Sequence, residues 1–239
     1  MTEAVKLHDA TWPEISARAD HSVLVVPLGS TEQHGPHLPM STDTVIATAL
    51  ADRLAVRCPQ VVVTPALAFG SSGEHSGFAG TLSIGQAALE LVVLELVRSA
   101  DAFASVLLLS AHGGNAEPLR RAVATLQHEG RSVAAWSPRA DLLRHEVVDA
   151  HAGRFETAIM LAVAPELVQL DAAAAGNTQP IGELLSRLRE GGVRAVSANG
   201  VLGDPIGASA TEGERVLERL TTDLCRTVEA LTARVPARG

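Results

Sequence analysis

Four short runs in this chain are apolar almost without a break: SVLVVPL (22–28), VVVTPA (61–66), SVLLLS (105–110) and SVAAW (132–136). A strand with one wet face alternates apolar and polar residues. A strand covered on both faces, as in a parallel sheet, does not. Between and after these runs the apolar residues recur at helical spacing, over about 43–56, 84–100, 116–129, 155–163, 180–190 and 211–233. The last carries a stripe of Val216, Leu217, Leu220, Leu224, Val228 and Leu231. Strand–helix alternation of this kind dictates an α/β fold, a mostly parallel sheet with helices on both faces. SIGQ (83–86) has the Ser83 and Gln86 spacing of a capping box at the head of the second helix. No Gly/Ser-rich or Pro-rich linker interrupts the pattern, so we expect one domain over 1–239, with DAAAAGNTQP (171–180) a loop inside it.

Charge and composition narrow the partners. Nineteen basic against twenty-seven acidic side chains give a net charge of -8, the wrong sign for a nucleic-acid footprint. The most apolar stretch, AALELVVLELV, holds two glutamates and is too short to span a bilayer. The first residues lack the apolar core of a signal peptide. Cys58 and Cys225 sit in no metal or redox motif. A cytoplasmic protein with reduced thiols is expected, without nucleic-acid or membrane partners.

In open α/β sheets, ligands bind beyond the carboxyl ends of the strands. The chemistry-bearing residues collect there. GSTEQHGPHLPMSTDT (29–44) directly follows the first run and contains Glu32, His34, His37 and Asp43 with no Lys or Arg. Glu32 and His34, at i and i+2, share one side of an extended segment. Asp43 opens the next helix, where Ser41 or Thr42 could cap. SAHGGN (110–115) sets His112 beside Gly113 and Gly114 at the end of the third run, and HAGRFETA (151–158) sets His151 and Glu156 around a glycine turn. Singly, each has a bland reading: Asp43 as a helix cap, His112 as a structural histidine, Glu156 as a first-turn acid. Together they are different. Converging, uncompensated carboxylates raise one another's pKa, and a divalent cation bound by N and O donors removes that conflict.

GSTEQHGPHLP…TD (29–43), GFAGTLS (77–83), SAHGGN and HAGRFETA resemble the creatininase family of amidohydrolases across nearly the whole chain. The tail GGVRAVSANGVLGDPIGASATEGE (191–214) is most similar to its mycofactocin-system peptidase branch. The resemblance implies a three-layer αβα sandwich with a two-metal site in a ring-like homo-oligomer, of hexamer type. By motif position, Glu32, Asp43 and His112 would hold one ion. His34 and Asp43 would hold the second. Creatininase-type members place a glutamate where this chain has Gly114, and Glu156 is the expected replacement. His151 matches the histidine that handles protons at the substrate. Trp136 matches a tryptophan covering the pocket, Val147 stands where those enzymes have a second one, and Ala79 replaces a usual proline. His37 is expected beside the pocket, orienting a ligand.

These residues suggest metal-assisted hydrolysis of an amide, with an oxyanion held near Gly113 and Gly114 and a proton supplied by His151. Zn, Fe(II) and Mn(II) all suit the donors. The branch resemblance implies a small ribosomal precursor peptide as substrate, cut ahead of its modified C-terminal Val-Tyr. Two alternatives remain open at this level: a creatinine or other cyclic-amide hydrolase, and a non-catalytic metal-binding protein.

Overall fold

The computed structural model describes residues 5–139 and 149–233. Its centre is a five-stranded sheet: β1 (Val5–Lys6), β2 (Val23–Leu28), β3 (Val61–Val63), β4 (Ser105–Ser110) and β5 (Val133–Trp136). The order is β1-β3-β2-β4-β5 and every pairing is parallel. β2 and β4 lie in the middle and pair over their full length, Val23 with Ser105 through Leu28 with Ser110. The unbroken hydrophobicity of their sequences is explained by burial on both sides. Val23, Val25, Leu107 and Leu109 point into one core; Leu24, Val26, Val106 and Leu108 point into the other.

The first core is closed by α2 (Thr42–Arg57), α5 (Arg154–Val163) and α7 (Ala210–Thr232). The α7 stripe is buried at every position expected. The second core is closed by α3 (Gly85–Ser99) and α4 (Ala116–His128), through Leu89, Val93, Leu119, Ala122 and Leu126. This is the αβα arrangement expected. A satellite cluster joins α6 (Ile181–Gly191) to the following segment through Leu184, Val193, Val196 and Leu202. The edge strand β1 and the short helix α1 (Trp12–Ser16) are additions that the hydrophobic pattern did not announce.

Two local expectations need correction. Ser83 and Gln86 form no capping box. Ile84 is the N-cap of α3, and the Ser83 hydroxyl accepts from Ser72 N–H (2.9 Å) and Gly85 N–H (3.2 Å). Gln86 turns outward to Arg121. At α2, Ser41 occupies the N-cap position but its side chain makes no capping bond, and the Thr42 hydroxyl donates to the Pro39 carbonyl. Among the described residues no helix is long and apolar enough to cross a membrane.

Candidate metal centre

Every expected ligand lies past the carboxyl end of a central strand. The segment after β2 turns back on itself at Gly35 (φ 65°), with Glu32 N–H donating to the Met40 carbonyl. That turn carries Glu32 and His34 inward and delivers the chain to α2, whose second residue is Asp43. His112 follows β4 directly. His151 precedes α5 and pairs antiparallel with Leu202, so the 191–214 tail forms one wall. Asp149 accepts from the N–H groups of Arg154 and Phe155 and holds the start of α5. Ala152 sits at φ +50°, a strained value for a residue with a Cβ, in full burial between His151 and α5.

The side chains converge. Asp43 Oδ1 lies 3.4 Å from His34 Nε2, and its Oδ2 lies 3.2 Å from His112 Nδ1 while accepting from the Ser30 hydroxyl at 2.7 Å. His112 Nε2 is 3.2 Å from Glu32 Oε2 and 3.0 Å from the Ser71 carbonyl. Glu156 Oε2 is 3.8 Å from His34 Nε2 and accepts from Ala152 N–H at 2.6 Å. Glu156 thus reaches back to its own helix start and faces the cluster with the same oxygen. Three overlapping trios have donor atoms within 4.8 Å of one another: Glu32–Asp43–His112, His34–Asp43–Glu156 and Glu32–His34–His151.

Without a cation this cluster is electrostatically awkward. Burial opposes charge on His34, but Asp43, with Glu156 and Glu32, lifts it to about 9. Burial likewise opposes charge on His112, and the carboxylates of Asp43 and Glu32 push it well above the ordinary range. Asp43 is held well below its usual value by the same two imidazoles, against its burial. Burial raises Glu156 to about 7. Both Glu32 oxygens and His34 Nε2 are buried with no hydrogen bond. The imidazoles near Glu32 are close but not aligned as donors. An uncompensated buried carboxylate costs several kcal/mol. Two donors on one ion at about 2.1 Å can be at most ~4.2 Å apart, and the imidazole–carboxylate distances of 3.2, 3.4 and 3.8 Å fall inside that limit. The residues therefore fit divalent ions.

Sequence reasoning missed three members. His75, in a turn at Gly73–His75, is buried with Nε2 3.3 Å from Glu32 Oε1, and its ring packs 4.4 Å from that of His151. Burial lowers its pKa to about 4. Glu74 Oε1 lies 3.7 Å from His112 Nε2. Gln33, inside the quoted motif, binds both histidines. The signal for the first two was GEHS, immediately before the GFAGTLS motif, in a segment where the hydrophobic pattern marks no strand or helix.

The pocket residues separate. A cavity of about 200 Å³ opens on Asp43, His112, Gly113, His151 and Glu156. A neighbouring one of about 460 Å³ shares His112 and Gly113 and is walled by Trp136, whose indole N–H donates to Asp223 at 2.8 Å. His37 lines neither: it is buried, with Nε2 2.9 Å from the Thr157 hydroxyl, because the turn at Gly35 sends it toward α5. Nor does Gly114, which packs against Ser71, Glu74 and the His112 ring, where no Cβ would fit. Val147 lies outside the described residues. A further cavity of about 550 Å³ is at the amino ends of β4 and β5, away from all this chemistry.

A family model described as creatinine amidohydrolase matches residues 8–228. The chain belongs to the creatininase family. Among relatives in that family, the mycofactocin precursor peptide peptidase of Mycobacterium ulcerans (strain Agy99) is 47% identical over 223 residues, covering 90% of this chain and 84% of the relative. A solved structure of manganese creatininase is 27% identical with a TM-score of 0.79, covering 98% of this chain and 100% of that one. A creatininase mutant of Zn-Zn type is 26% identical with a TM-score of 0.76 over the same shares. The three-layer fold and the hydrolase class are those of the creatininase family.

Proposed function

We propose that this chain is a metal-dependent peptidase that hydrolyses the amide ahead of the modified C-terminal Val-Tyr of the mycofactocin precursor peptide, a small ribosomal peptide. The observation that carries this reading is the buried cluster of Glu32, His34, Asp43, His112, His151 and Glu156 opening onto a cleft. The 47% identity to a peptidase of that name supports the substrate.

Glu32, Asp43 and His112 hold one divalent ion in this reading, and His34, Asp43 and Glu156 a second. Asp43 serves both because its two oxygens face different imidazoles. Zn, Mn(II) or Fe(II) bound there would supply a water acidic enough to attack at neutral pH and would polarise the scissile carbonyl. His151 moves the proton. Its Nε2–H donates to the Gln33 carbonyl at 2.8 Å, which leaves Nδ1 bare and facing Glu32 at 3.8 Å. Burial depresses its pKa, so a proton held at Nδ1 is released readily to the leaving amine. The backbone N–H of Gly113, which lines the cleft, is assigned to the oxyanion. Trp136 walls the path of the peptide.

The reading includes a cytoplasmic, ring-like homo-oligomer; the exposed Leu91, Val92 and Leu96 of α3 are apolar surface that such an assembly would cover. Incubation of the metal-loaded protein with the modified precursor, followed by mass, should release the terminal two-residue fragment and leave creatinine untouched. Creatinine turnover with an intact peptide would refute it.

A further inference from the structure

Gln33 is buried, and its side-chain amide is satisfied in one orientation only. Its Oε1 accepts from Gly35 N–H at 2.9 Å. Its Nε2 donates to the Gly200 carbonyl at 3.1 Å. Exchanging O and N would set an amide N–H against a backbone N–H and an oxygen against a carbonyl. The same Nε2 lies 2.9 Å from His75 Nδ1 and 3.0 Å from His151 Nε2. His151 Nε2 already carries a proton, which goes to the Gln33 backbone carbonyl, and so accepts nothing. The second amide hydrogen therefore goes to His75 Nδ1. That nitrogen is an acceptor, and the proton of neutral His75 is on Nε2, the atom 3.3 Å from Glu32 Oε1. These proton positions follow from the hydrogen-bond network.

We infer that His75 is a positioning residue for the Glu32 carboxylate, with its tautomer written by Gln33. The inference rests on the metal reading above and extends it. One glutamine sets two stacked rings in the same tautomer but presents them to Glu32 the opposite way round. His75 offers an N–H, His151 a lone pair. The His75 N–H lies close to Glu32 Oε1 without an aligned hydrogen bond; with an ion held by the cluster it would steer that oxygen and leave Oε2, 3.2 Å from His112 Nε2, for the ion. A hydrogen-bonded partner behind a ligand typically contributes 10–100-fold in metal affinity. The glycine at 200 belongs to the same device. Its φ is +82°, and any Cβ there would collide with the Gln33 amide.

The test uses the full-length protein, loaded with Zn so that it is diamagnetic. Long-range ¹⁵N–¹H spectra should show His75 protonated at Nε2 and bare at Nδ1, with assignment by His75→Leu. A proton on Nδ1 overturns the inference, whether or not metal is bound. The second arm measures metal affinity. His75→Gln keeps an N–H donor for Glu32 and should stay within a few-fold of wild type. His75→Leu fills the space without a donor and should bind 10–100-fold more weakly. Equal affinities of the two variants overturn a positioning role, while absence of metal from the wild-type protein overturns the metal reading itself.

Discussion

Removing the divalent ions should make the stability of this protein fall as the pH rises above neutrality. In the stripped protein His34 must carry a proton to balance Asp43, with a pKa of about 9 against ~6.5 in the unfolded chain. A raised imidazole pKa means stabilisation that is complete below the unfolded value and lost as pH climbs through the folded one. His112, raised by Asp43 and Glu32, has the same sign. His34 contributes about 1.4 kcal/mol per pH unit between its unfolded and folded values. Between pH 7 and 8.5 its loss is ~2 kcal/mol, and His112 adds a loss of the same sign. The window is chosen to be clean. Glu156, raised to about 7 by burial, loses its contribution below it, and His75, lowered to about 4, acts between about 4 and 6.5. Cys58, pushed up to about 12 by burial and the neighbouring Cys225, begins to matter only above the ordinary thiol range near ~8.5. Urea unfolding at fixed protein concentration, after chelation, gives the free energy at pH 7, 7.75 and 8.5. Reloading with Zn or Mn should abolish the slope, since a ligating imidazole is unprotonated throughout. A stripped protein as stable at pH 8.5 as at pH 7 would refute the charge assignments of His34 and His112.

Asp43→Ala should lose more metal than any other single ligand variant, and Glu156→Gln should deplete one ion preferentially, both read by elemental analysis; full metal content in Asp43→Ala would end its shared role. His151→Ala should retain its ions and cleave about 10²–10⁴-fold more slowly, whereas loss of an ion would make His151 a ligand through the Glu32–His34–His151 trio. Light scattering at micromolar concentration should give a multiple of 24.9 kDa, and a single-chain mass would exclude the ring.

The core and the ligands were legible for the same reason. Parallel strands announce themselves by unbroken apolar runs, and the rule that sites form at their carboxyl ends pointed at Glu32, His34, Asp43 and His112 without any structure. His75 and Glu74 escaped it because they sit well past β3, in a stretch whose path is fixed by tertiary contacts such as the Ser83–Ser72 bond. The capping box failed in the same region: Ser83 met a better partner across the loop than its own helix offered. His37 matched a motif but not a place, since a turn at positive φ decides where the next side chain goes. The proximity of Cys58, at the end of α2, and Cys225, inside α7, with Sγ atoms 3.2 Å apart, is equally invisible to local pattern.

The bond from Gln33 to Gly200 closes a span of 167 residues. A nascent chain leaving the ribosome completes β2, β4 and most of their covering helices long before residue 200 emerges. Until then the Gln33 amide is held by Gly35 N–H alone and lacks the acceptor that fixes its Nε2 side. The ligands can gather early, but the ordering of the centre waits for the segment around Gly200. A protease nick just before the 191–214 tail, with α7 still packed on the sheet, would therefore loosen the centre first, whereas an early stop there would also remove α7 and open the first core.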